Sequence, residues 1–145
     1  MSAQANDVIP HHVRETDAGW VQGYCADGIC RFLGVPYAAP PVGANRFREP
    51  RPVAGWKGVR DATRPGPSSY QQLRPFPAID VVPLIGDGYE RGDDYLALNI
   101  WAPEDASGRP VMVFIHGGGF VVGEIGAAED RLTATAHELP SEPCI

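Results

Sequence analysis

The stretch PVMVFIHGGGFVVG, residues 110–123, constrains the fold more than any other part of the chain. From Pro110 to Ile115 it is apolar on both faces, and after His116 it runs into Gly117, Gly118 and Gly119. A strand with no polar face belongs in the interior of an α/β sheet, with neighbours on both edges. Bare residues directly after it let other atoms approach main-chain N–H groups and let the backbone turn freely. What those N–H groups would hold is an anion, or an oxygen that becomes one. Two phosphate-loop readings fail on residue identity. A dinucleotide fingerprint starting at Gly117 needs glycine at 122, where Val122 stands, and the Walker-type spacing in GGFVVGE meets Glu124 where lysine is required.

A second strong local signal lies upstream. Residues 19–37, GWVQGYCADGICRFLGVPY, read as a β-hairpin turning at Asp27-Gly28, a favoured two-residue hairpin loop. That register pairs Ala26 with Ile29 and sets Cys25 opposite Cys30 at a non-hydrogen-bonded position, close enough in principle for a disulfide. The third cysteine is Cys144, and the three have no metal-ligand spacing, so no metal site is expected. In a reducing compartment Cys25 and Cys30 are expected to be ordinary thiols.

Between hairpin and glycine run the chain holds many of its 17 Gly and 15 Pro, so turns and irregular loops dominate there. Residues 38–69 read as loop draped on a core. Residues 70–95 read as a long connection with little periodicity, a kind of loop that usually serves a purpose. YLALNIWAP, 95–103, alternates Leu96, Leu98 and Ile100 on one face and reads as a strand. A polar turn, Asp105–Gly108, would join it to a partner strand at 110–116. A length of 145 residues fits one domain. Twelve basic against eighteen acidic residues, without a basic stripe, argue against nucleic acid as a partner. The N-terminus has no basic start followed by an apolar stretch, and no run has the length of a membrane span. The expected location is the cytoplasm, without membrane association.

Taken in order, FLGVPYAAPPVGANRFREPRPVAGWKGVRDAT, GDDYLALNIWAP and PVMVFIHGGGFVVG resemble the N-terminal portion of type-B carboxylesterases, the serine esterases that include the cholinesterases. The resemblance covers residues 19–123. It implies an N-terminal part of an α/β-hydrolase fold: a β-rich fragment with a small N-terminal antiparallel sheet, bearing the 19–37 hairpin, and the first strands of the main sheet. Residues 1–18 would be a tail, and 124–145 a divergent tail with a short helix around 127–139. The function implied is carboxylic-ester hydrolysis through a serine nucleophile and acyl-enzyme, with a small-molecule ester as substrate and no cofactor.

By position in the motif, Gly118 and Gly119 would donate backbone N–H groups to the oxyanion, Gly117 would allow the tight turn, and His116 would brace the loop. Arg46 of the RFR motif is expected to pair with Asp93, tying the end of the long loop to the preceding segment. Relatives often close that loop with a disulfide, but Tyr70 and Tyr95 stand at those positions here, which leaves the loop's rigidity open. The loop has no Trp for a quaternary ammonium, so choline esters are not indicated. The nucleophile motif G-x-S-x-G does not occur in these 145 residues. Ser68 and Ser69 read as loop residues, and His11, His12 and His137 as solvent-facing rather than catalytic. The expectation is a truncated esterase, inactive by itself. The other reading is a non-catalytic structural or interaction module on an esterase-like scaffold.

Overall fold

The structure is a computed structural model that describes residues 11–71, 90–117, 123 and 136. Five strands form one sheet: β1 (His11–Thr16), β2 (Gly19–Ala26), β3 (Ile29–Pro36), β4 (Val59–Asp61) and β5 (Ala97–Pro103). The order is β1-β2-β3-β5, with β4 also on β2. All pairings are antiparallel except β2 with β4.

The hairpin forms as its sequence dictates. Asp27 and Gly28 have φ of 53° and 75°. Two successive left-handed residues make the tight turn whose twist suits flanking strands, and Asp and Gly are the residues that accept it. Ala26 faces Ile29 and Cys25 faces Cys30. The two cysteines are joined as a disulfide, not left as separate thiols as expected. The physical reason is the register: opposite positions next to a two-residue turn hold the sulfurs together wherever the strands pair.

Three other expectations change. Residues 11–16, expected in a tail, form β1, paired with β2 from His11↔Tyr24 to Thr16↔Gly19. HHVRET has no apolar alternation, so only its partner identifies it as a strand. The 97–103 strand pairs not with 110–116 but with β3, from Ile29↔Pro103 to Pro36↔Ala97. The turn after it falls where the sequence placed it, with Ala106 N–H donating to the Pro103 carbonyl at 2.9 Å. The 110–116 segment is not a strand, and Val111 and Ile115 are 86% and 84% exposed. A strand needs a partner for its N–H and C=O groups, and among the described residues none lies against this one.

β3 serves two neighbours by bending. Its pairing with β5 skips from Phe32↔Ile100 to Val35↔Leu98, so Leu33 and Gly34 oppose the single residue Asn99. Asn99 Oδ1 accepts the freed Gly34 N–H at 2.8 Å, and the Leu33 N–H donates to the Ala62 carbonyl at 2.8 Å. The bulge carries β3 away from the first half of β2, and β4 takes up that edge, Trp20↔Val59 to Gln22↔Asp61. Val21, Cys25, Cys30, Phe32, Val35 and Ala62 make the core, with Trp56 packed against it. Trp56 Nε1–H donates to the Trp20 carbonyl at 2.8 Å, satisfying the ring's polar atom while its body covers the sheet.

Candidate functional site

His116 and Gly117, at the start of the glycine-rich segment, lie against Gly123 at its end. Gly123 has φ of 129°, and a Cβ there would collide with the Gly117 carbonyl oxygen and the His116 ring. Position 123 therefore admits glycine alone while residues 116–117 lie against it. His116 Nδ1 lies 2.7 Å from the Gly117 carbonyl oxygen. The expected donors Gly118 and Gly119 lie outside the described residues.

Gln71 holds Gly123 from the other side. Its Oε1 accepts the Gly123 N–H at 2.7 Å, and its Nε2 donates to the Gly123 carbonyl at 3.1 Å. One amide side chain thus satisfies both polar groups of one residue, as a β-ladder neighbour would. It fixes the position and the orientation of the peptide that ends the glycine loop. The sequence reading missed Gln71. The only signal was its place at the start of the long loop, and its partner lies 52 residues away.

The same region shows how the ends of the long loop meet. Its two ends are clipped by backbone bonds: Ser68 N–H to the Glu90 carbonyl at 3.0 Å and Gly92 N–H to the Ser68 carbonyl at 3.1 Å. The Arg91 guanidinium also donates to the Gln71 carbonyl. Ser68 is a loop residue, as expected, and is buried in this neck. This chain closes the neck with main-chain hydrogen bonds and one arginine. The loop's interior, residues 72–89, lies outside the described residues.

The expected Arg46–Asp93 pair is not formed. Both residues are exposed, and the Arg46 guanidinium lies 5.1 Å from the ring centroid of Phe47, itself exposed with φ of 58°. The arginine that ties the loop's end is Arg60, on β4, whose Nη2 meets Asp94 Oδ2 at 3.2 Å while its guanidinium lies over Trp56. Pairing β4 onto β2 brings Arg60 to this acid, which linear spacing does not reveal. Ser69 is a loop residue, His11 lies on β1, and His137 lies outside the described residues. His12, expected to face solvent, has a side chain only 20% exposed and meets Glu104 at 3.3 Å. Among the described residues one group of metal-capable side chains comes together, His12 with Cys25 and Cys30, and it lies on the sheet.

A bent, mostly antiparallel sheet, followed by an apolar run ending in Gly117, fits the N-terminal part of an α/β-hydrolase. The chain belongs to the carboxylesterase family, whose model matches residues 10–137. It is 44% identical over 119 residues to a phenmedipham hydrolase of Pseudarthrobacter oxydans, covering 80% of this chain and 23% of that protein. To the para-nitrobenzyl esterase of Bacillus subtilis (strain 168) it is 39% identical over 117 residues, covering 79% and 23%. Among solved structures a PNB esterase superposes with a TM-score of 0.67 at 36% identity, covering 79% of this chain and 23% of that one. The chain thus spans about a quarter of the length of the curated relatives it matches.

Proposed function

We propose that this chain forms the oxyanion-loop portion of a serine carboxylesterase, acting on small carboxylic esters. The observation that carries the reading is the pinning of Gly123 by the oxygen and the nitrogen of the Gln71 side-chain amide, against His116 and Gly117. Oxyanion donors help catalysis only when held in place before the charge develops, so that no reorganisation is needed at the moment of reaction. Holding Gly123 against His116 and Gly117 serves that requirement, and in the sequence Gly118 and Gly119 lie between Gly117 and Gly123. Their N–H groups would stabilise the tetrahedral oxyanion more than the ester carbonyl, which lowers the barrier and not merely the KM. His116 then braces the loop and is not a base. A para-nitrobenzyl esterase among the relatives supports the substrate class. The nucleophile would come from a G-x-S-x-G elbow that these 145 residues do not contain.

The test has two arms. The 145-residue chain should show no saturable hydrolysis of short p-nitrophenyl esters. Turnover that saturates and is blocked by a serine-directed phosphonate overturns the proposal. In the second arm residues 11–123 replace the matching segment of the Bacillus subtilis esterase. The chimera should hydrolyse esters, and Gly118→Pro or Gly119→Pro, each removing one N–H, should lower kcat roughly 100- to 1000-fold. A folded chimera with no activity, or one indifferent to both prolines, favours a non-catalytic module.

A further inference from the structure

The sheet brings together three side chains that the carboxylesterase reading does not use. His12 on β1, Cys25 on β2 and Cys30 on β3 place one ligand atom each within 4.8 Å of one another. The register explains the grouping: Cys25 is directly opposite Cys30, and His12 is opposite Gly23, two residues from Cys25 on the same face of β2. Gly23 has no side chain to separate them. The cysteines are buried, at 7% and 3% exposure, whereas the His12 side chain reaches the surface at 20%. Glu104, 58% exposed, places Oε1 3.3 Å from His12 Nε2. A carboxylate on a histidine nitrogen fixes the ring and favours a nearby cation, as in many metal sites.

We infer that reduction of the Cys25–Cys30 disulfide opens a binding site for a soft divalent cation such as zinc, made by two thiolates and the His12 imidazole. A dithiol reductant supplies two electrons and is itself oxidised to its disulfide. The Sγ–Sγ bond of Cys25 and Cys30 breaks, and each sulfur takes one of the dithiol's two protons. Metal binding then displaces both thiol protons to solvent, and the thiolates coordinate. Zinc–sulfur bonds of about 2.3 Å and zinc–nitrogen bonds of about 2.0 Å in a tetrahedron place ligand atoms roughly 3.5–3.8 Å apart. The His12 nitrogen already lies within 4.8 Å of both sulfurs, and once their bond is reduced the two sulfurs must move apart to reach that spacing. Two thiolates and an imidazole select zinc-like ions over calcium or magnesium, and three protein ligands leave one position open. The metal would cross-link three strands, so oxidation state would decide whether the sheet is stapled by a disulfide or by a cation.

The experiment uses the full chain, reduced with a dithiol and freed of it anaerobically, and titrated with Co2+ and then with Zn2+ in competition. The expected result is one Co2+ per chain, with a thiolate-to-cobalt charge-transfer band that Zn2+ abolishes. The oxidised chain should give no band. Cys30→Ser should abolish it, His12→Ala should weaken binding at least tenfold, and Cys144→Ser should leave it unchanged. His12 lies on the edge strand, so His12→Ala tests the site without opening the core, and circular dichroism confirms the fold of each variant. Equal binding by reduced and oxidised chain, no band in the reduced chain, or full affinity in folded His12→Ala overturns the inference. So does a band lost with Cys144→Ser. Each outcome is independent of ester hydrolysis, so the site and the esterase reading stand or fall separately.

Discussion

Residues 19–36 and residues 110–117 are both rich in apolar residues, and both read as extended chain. The first becomes two strands at the centre of a sheet, with Ile29 only 1% exposed, while the second stays unpaired with Val113 at 79%. The difference is not hydrophobicity. Asp27-Gly28 brings β2 its partner at the cost of closing two residues, and burial then follows from pairing. The 110–117 segment has no comparable local turn to bring it a partner, and none pairs with it among the described residues. Apolar character says that a strand will be dry, and only topology says what dries it.

The comparison can be broken most directly by amide hydrogen exchange. Amides of β2 and β3 should be protected on the order of a hundredfold or more beyond those of 111–116, because paired strands exchange only by opening. Equal protection would mean that 110–116 is paired after all. Truncation of side chains comes next. Phe32→Ala, at 6% exposure, should cost about 3–5 kcal/mol in urea unfolding, and Val113→Ala less than about 0.5 kcal/mol. Similar costs at the two sites would abolish the distinction. The turn gives a smaller effect. Gly28→Ala places a side chain at φ of 75° and should cost roughly 1–2 kcal/mol, whereas a Cβ at Gly117 meets none of the described residues and Gly117→Ala should cost less. Smallest is the ion pair. A double-mutant cycle on Arg60 and Asp94, side chains 38% and 40% exposed, should give coupling of at most about 1 kcal/mol that fades in salt. The same cycle on Arg46 and Asp93 should give none.

What the sequence made legible was local or carried by ordered motifs. The hairpin turn, its cysteine register, the 97–103 strand and the turn after it all depend on neighbours a few residues apart. The order of the three motif segments pointed to the carboxylesterase family, whose model matches the chain. What stayed hidden is non-local. β1 is polar and is a strand only because β2 lies beside it. Gln71 meets Gly123 across the loop neck, and Arg60 rather than Arg46 finds the acid because β4 joins β2. His12 reaches the cysteines by the same route, through pairing that periodicity cannot indicate. Side-chain type and spacing show which groups have chemistry to offer. Sheet topology decides which of them meet.

The pairing of β5 with β3 also bears on how the chain is made. About 60 residues separate the end of β3 from the start of β5, and at ribosomal speeds of about 5–20 residues per second they take roughly 3–12 s to synthesise. During that interval the edge of β3 that receives β5 has left the exit tunnel without its partner, while the hairpin behind it is already closed. An apolar strand edge left open for seconds is a site for pairing with another nascent chain. Translational pausing within residues 37–96 would lengthen the exposure, so the yield of soluble protein should respond to synonymous codons in that stretch more than to those after Pro103.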